Sequence, residues 1–160
     1  MALSVDDVSF LERSVSLASR FQDSSLCTPF GAVVVRDGLV LGESHSRVVE
    51  LRDPSAHAEV LAIRSACART DSHLLSGATL YCSGFPCPLC LSVSRWAEVS
   101  RIVYAATLSD SEGVGFEDAS FYRDLECGFS AMNMQFVSGP PELRLKARQL
   151  LRDWKQDWLH

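Results

Sequence analysis

His57, Cys87 and Cys90 are the residues of this chain best suited to chemistry at a metal ion. They stand in His57-Ala58-Glu59 and, 27 residues after Glu59, in Pro86-Cys87-Pro88-Leu89-Cys90. One imidazole and two thiolates are good ligands for Zn²⁺, and a tetrahedral ion with three protein ligands keeps its fourth position for water or hydroxide. Structural sites usually close with four protein ligands, and no fourth ligand stands at the usual spacing here. Glu59, two residues from His57, is a candidate to carry protons to and from such a water. The pattern is that of an open, catalytic site for one Zn²⁺ rather than a closed structural one.

The spacing also constrains the scaffold. Cys87 and Cys90 are i and i+3, neighbours on one helix face. Near a helix N-terminus the partial positive charge favours thiolate over thiol. Pro86 and Pro88 suit such a start, where a missing N–H costs least. His57 belongs to another segment, so two helix starts have to meet in space, which periodicity does not demonstrate. Within a regular helix, an i, i+2 spacing would also turn Glu59 away from the face of His57.

The elements that must do this positioning are legible. Val8, Leu11, Val15, Ala18 and Phe21 recur at helical spacing after a Ser4-x-x-Asp7 start, giving a first helix over about 5–21. Phe30 to Val35 is a continuous apolar run, as in a strand covered on both faces. Asp37-Gly38 is a hairpin signal, and Leu39-Val40-Leu41 begins the antiparallel partner. A second helix opens after Asp53-Pro54-Ser55 and runs to about Arg69, with His57 and Glu59 in its first turn. Ala78 to Cys82 is a third strand, and about Pro86 to Glu98 a third helix. Arg101 to Ala105 is a fourth strand, parallel to the third because a helix intervenes. A loop-rich stretch is expected from Thr107 to about Cys127, then a fifth strand over Met132 to Val137. After Pro140-Pro141, Leu143, Ala147, Leu150, Leu151, Trp154 and Trp158 define a last amphipathic helix. The fold class is α/β, a layered domain around a mixed sheet of about five strands.

Composition sets the outer limits. The 160 residues suit one domain, 1–160, and 47% hydrophobic with 22% charged residues is ordinary for a globular chain. No apolar run approaches the roughly 18 residues of a membrane span. The N-terminus has neither a basic start nor an apolar stretch, so no secretory signal is expected. Six cysteines at irregular spacing suit a reducing cytoplasm better than a disulfide framework. Cys27, Cys67, Cys82 and Cys127 are expected to be buried, inert thiols. The formal charge of −5 disfavours nucleic acid. The basic residues Arg144, Lys146, Arg148, Arg152 and Lys155 are interleaved with Glu142, Asp153 and Asp157, as on a solvated helix face.

His-x-Glu followed by Pro-Cys-x-x-Cys is the signature of the zinc-dependent base deaminases. With it, the chain resembles the cytidine deaminase superfamily, and within that the bacterial guanine deaminase branch. The resemblance runs through Phe10-Leu11-Glu12-Arg13, Pro29 to Val35, Asp53 to Val60, Pro86 to Leu91 and Gly115-Phe116-Glu117-Asp118. It implies the three-layer fold of that superfamily, Zn²⁺ on His57, Cys87 and Cys90, Glu59 as the proton carrier and Asp118 as a second catalytic acid. It places Phe30 and Ala58 against the base. It implies a homodimer whose C-terminal segment, 141–160 here, closes over an active site and is in some members swapped between subunits, with Trp154, Trp158 or His160 supplying the closing aromatic. Two positions depart from the pattern. Ser46, with His45 beside it, stands where relatives carry an Asn that bonds the base, and Phe85 stands where they carry Glu before Pro-Cys. The resemblance therefore implies that Ser46, His45 and Phe85 shape the substrate pocket.

The expected activity is hydrolytic deamination of a small aminated heterocycle in the cytoplasm, guanine or a related purine base or nucleoside first. Other readings stay open at this stage: a pterin, cytosine-type pyrimidine or aminotriazine as the ring, the adenosine of a transfer RNA, or a zinc-containing binding protein without catalysis.

Overall fold

The computed structural model describes residues 3–23, 25–128 and 134–153. The chain forms two compact units, 1–123 and 124–160. In the first, Ser4 caps helix α1 (Val5–Ala18) through a reciprocal capping box with Asp7, and a 3-10 turn over Ser19–Gln22 follows. Strand β1 (Thr28–Arg36) turns into β2 (Leu39–Ser46) through Asp37 and Gly38, both with positive φ, the conformation a tight hairpin needs. A single turn, α2 (Val48–Leu51), leads into α3 (Ala58–Thr70). Then come β3 (Thr79–Gly84), α4 (Pro88–Trp96) and β4 (Arg101–Ala106). Strand order is β2-β1-β3-β4, with β4 parallel to β3 and the other pairs antiparallel.

The sheet buries both faces. Val33, Val35, Tyr81 and Val103 meet Phe10, Leu11 and Leu17 of α1. Ala32, Val34, Leu80 and Cys82 meet Ala58, Ala62, Ile63 and Ala66 of α3. This three-layer packing accounts for the unbroken apolar run of β1, since every residue from Gly31 to Val35 is buried. A carboxylate ties α1 to β3 and β4 across the face it covers. Asp7 accepts a 2.7 Å bond from the Tyr81 hydroxyl and a 2.6 Å ion pair from Arg101.

Several expectations need correction. Among the described residues the sheet has four strands, not five. Residues 134–137 lie in no strand, while 132 and 133 fall outside the described residues. Their apolar run is short and leads into Ser138-Gly139-Pro140-Pro141, where two successive residues lack the N–H a ladder requires. The stretch from Thr107 to Cys127 is not loop-rich, because it holds α5 (Leu108–Glu112) and α6 (Asp118–Cys127). Thr107 and Asp110 form a capping box at the start of α5. Of the four cysteines expected to be buried, Cys82 is; Cys27 and Cys67 are half-buried and Cys127 is exposed. Helix α7 (Pro141–Asp153) belongs to the second unit and agrees with the last helix of the sequence reading as far as it is described. Among the described residues no helix is long and apolar enough to cross a membrane.

Candidate active site

Two helix starts meet as the spacing required. His57 is the N-cap of α3 and Cys87 the N-cap of α4, both in extended backbone, and neither uses its side chain as a cap. Their ring and sulfur are therefore available to each other. An Asx turn sets the approach to His57: Asp53 Oδ1 accepts from both the backbone N–H and the hydroxyl of Ser55. Because His57 lies outside the helix, its geometry with Glu59 is not that of an i, i+2 helical pair. Glu59, in the first turn, comes within 3.4 Å of Cys90 Sγ.

His57 Nδ1 lies 3.5 Å from Cys87 Sγ and 3.5 Å from Cys90 Sγ, and the two sulfurs are 3.6 Å apart. A tetrahedral Zn²⁺, with Zn–S ≈ 2.3 Å and Zn–N ≈ 2.0–2.1 Å, requires edges of about 3.5 Å between N and S and about 3.8 Å between sulfurs. The observed triangle fits that set, and the cluster is able to chelate a metal ion. The electrostatics suit a cation as well. Hydrogen bonds from Cys90 and then from His57 hold the Cys87 thiol well below its ordinary value, which favours the thiolate a metal needs. The hydrogen bond to Cys87 in turn holds the His57 imidazole above its ordinary value. Cys90, sharing one proton with Cys87 in a buried pair, is pushed upward.

Beside the cluster lies a cavity of about 170 Å³. His57, Glu59 and Cys87 form its floor, and Phe30, Phe85 and Phe116 supply flat apolar walls. Phe30 and Phe116 meet edge to face at 4.8 Å, and Phe85 packs the same way on Tyr104 at 4.9 Å. Glu59 is 5% exposed, and burial raises its pKa. Asp118, the first residue of α6, also lines the cavity; burial and then the neighbouring Cys87 raise its pKa. Four residues after Asp118, the Tyr122 hydroxyl donates to Pro86 O at 2.5 Å, tying α6 to the loop that presents Cys87.

Of the residues singled out in the sequence, His57, Ala58, Glu59, Phe30, Ser46, Phe85, Cys87 and Asp118 line this cavity. Cys90 completes the metal cluster behind it. His45 is not brought there. It pairs with Gly31, whose missing Cβ would point into α1, so His45 faces α1 while Ser46 faces the cavity. His45 borders a separate depression with Arg20, Cys27 and Glu50. Trp154, Trp158 and His160 lie outside the described residues. Thr28, Val48 and Phe116 line the cavity without having been singled out. Phe116 was within reach, since it sits in the quoted Gly115-to-Asp118 segment. Thr28 carried no signal of its own.

Comparison with known proteins places these features in context. Residues 4–106 match the family described as the cytidine and deoxycytidylate deaminase zinc-binding region. The chain is 40% identical over 117 residues to guanine deaminase of Bacillus subtilis, covering 73% of this chain and 75% of that one. An X-ray structure of guanine deaminase from Bacillus subtilis superposes with a TM-score of 0.86 at 34% identity, covering 94% of this chain and 96% of that one. A tRNA-specific adenosine deaminase of Aquifex aeolicus is 36% identical over 86 residues, covering 54% of this chain and 57% of that one.

Proposed function

The chain belongs to the cytidine and deoxycytidylate deaminase zinc-binding family, and from that membership we propose that it is a zinc-dependent hydrolase that removes the amino group of a purine base, guanine first. The observation that carries this reading is the juxtaposition of the His57–Cys87–Cys90 triangle with buried Glu59 at the floor of a flat-walled cavity. The similarity to guanine deaminase over three quarters of both chains supports the choice of ring.

In this reading His57, Cys87 and Cys90 hold Zn²⁺, which when bound supplies the Lewis acidity that brings a water's pKa from about 15.7 towards 7. The remaining work belongs to the chain. Phe30, Phe85 and Phe116 hold the planar ring and exclude bulk water from the floor. Glu59, kept protonatable by burial, takes a proton from the attacking water and delivers it to a ring nitrogen. It then takes the proton of the newly added hydroxyl group, which becomes the carbonyl, and passes it to the departing amine. The ring carbon gains an oxygen and loses ammonia, so guanine becomes xanthine. Asp118, raised in pKa at the rim of the same cavity, is assigned a hydrogen bond to the ring or a second proton relay. The enzyme is expected to act as a homodimer in the cytoplasm.

Ammonia release from the zinc-loaded protein across guanine, guanosine, adenine, cytosine, a pterin and an aminotriazine tests the proposal. Turnover of guanine at least tenfold faster than of the other rings is expected; turnover confined to another ring would replace guanine. The similarity to a tRNA-specific adenosine deaminase favours a second reading, and inosine formed in an RNA hairpin with guanine left untouched would establish it instead.

A further inference from the structure

Between Thr28 and Gly31 the β1–β2 ladder slips: Thr28 pairs with Ser46, yet Gly31 pairs with the very next residue of β2, His45. Pro29 and Phe30 are the extra residues, a bulge of the kind that re-aims side chains beside functional sites. The bulge sends Phe30 to the cavity wall and leaves Thr28 directly across from Ser46 on the same wall. There the Thr28 hydroxyl donates to Ser46 Oγ at 2.7 Å. Ser46 is 2% exposed, and its own proton has no acceptor among the described residues. Thr28 Oγ1 likewise has lone pairs that receive nothing there.

Two hydroxyls hold two protons, and the bond between them uses one. What remains to the cavity is one donor, the Ser46 O–H, and one acceptor, Thr28 Oγ1, on adjacent oxygens. Neither residue alone presents both on separate oxygens: the proton that Thr28 donates occupies one lone pair of Ser46 Oγ, so the Ser46 O–H turns away from Thr28. We propose that Thr28 and Ser46 form a single recognition unit that reads a lactam edge, a ring carbonyl next to a ring N–H. The Ser46 hydroxyl donates to the carbonyl oxygen, and Thr28 Oγ1 accepts from the N–H. This deepens the purine reading above and rests on it for the identity of the pocket, yet it concerns binding and stands apart from turnover.

Calorimetric binding of hypoxanthine and purine to the zinc-loaded protein isolates the unit. Hypoxanthine carries the lactam edge and has no amino group to lose; purine is the same bicycle without the edge. The wild-type protein is expected to bind hypoxanthine at least tenfold more tightly than purine. Thr28→Val, which keeps the shape and removes the hydroxyl, is expected to bring that ratio to within about threefold of unity, as is Ser46→Ala. The double variant is expected to lose no more than either single one, and Thr28→Ser to retain the wild-type ratio. Should Ser46→Ala fail to fold, the contrast between Thr28→Val and Thr28→Ser decides alone. A wild-type ratio near one overturns the proposal. So do equal losses for both ligands, which would mark a structural role, and additive losses in the double variant, which would mark two independent contacts. Failure to deaminate guanine would refute the proposed activity while leaving this binding ratio to stand or fall by itself.

Discussion

Gly42 lies in β2 beneath α3, and a Cβ added there would stand 2.3 Å from Ala62 O and 2.6 Å from Ala66 N. Those are backbone atoms of the helix, so no rotamer change relieves the overlap. Normal contact is roughly 1 Å further out, and α3 must move away from the sheet by about that distance. His57 caps helix α3 and Glu59 lies in its first turn, whereas Cys87 caps α4 and Cys90 lies in it. Gly42→Ala is therefore expected to separate the imidazole from the two sulfurs. Overpacking of this kind costs typically 1–3 kcal/mol, a fall in Tm of about 3–10 °C for a chain of this size. A misplacement of about 1 Å in the catalytic geometry costs on the order of 100-fold in rate. Gly31→Ala is the matched control: its Cβ would stand 2.2 Å from Ser14 O and 2.6 Å from Ala18 N, against α1, which carries no residue of the metal cluster. Both variants are expected to lose similar Tm, but only Gly42→Ala to lose zinc affinity, measured by competition with a colorimetric chelator. Wild-type zinc affinity in Gly42→Ala despite a lowered Tm, or equal loss of affinity in both variants, would refute the reasoning.

Other perturbations follow from contacts away from the cavity floor. The Arg101 guanidinium, with Ser4 and Tyr81, holds the Asp7 carboxyl far below its ordinary value. A depressed carboxyl contributes stability fully above its unfolded pKa of about 3.9 and loses it as pH falls toward the folded value. Asp7→Asn should thus lower the urea midpoint at pH 7 and flatten its decline between pH 5 and 3; an unchanged acid limb would show that Asp7 is not the group responsible. Tyr122→Phe removes the donor to the buried Pro86 carbonyl, at a cost of about 1–3 kcal/mol. Urea unfolding should register that loss, with kcat for guanine falling further than zinc content, and an unaltered midpoint would deny the bond its importance. Removing the metal with a chelator should lower Tm, with full recovery on adding Zn²⁺ back, because an ion held by three groups of the folded chain binds the native state preferentially; a Tm indifferent to the chelator would argue that the cluster holds no ion.

The parts of this site visible in the sequence are those set by local chemistry. Asp37-Gly38 specifies the hairpin through its positive φ values, and the helix between β3 and β4 implies their parallel pairing. The ligand types announce the cluster. Less visible was anything that depends on register. Whether His45 or Ser46 faces the cavity is a one-residue question, and a slip of one residue exchanges the faces of a strand. The bulge at Pro29 and Phe30 decides it, and the same bulge brings in Thr28. Pro29 was a hint, since proline belongs at bulges and edges. Helices α5 and α6 were hidden by short length and polar composition, although the Thr107–Asp110 box was there to be read. The extended N-cap backbone of His57, which resolves its spacing from Glu59, is a tertiary outcome that helix periodicity does not encode.

The most direct test of the account compares wild-type protein and Glu59→Gln, each loaded with Zn²⁺ to the same measured stoichiometry, for ammonia released from guanine. The amide keeps the shape of the carboxyl and removes its capacity to carry a proton. The account requires equal zinc content, comparable guanine binding and a fall in kcat of about 100-fold or more in the variant. Near-normal ammonia release from fully zinc-loaded Glu59→Gln would contradict it.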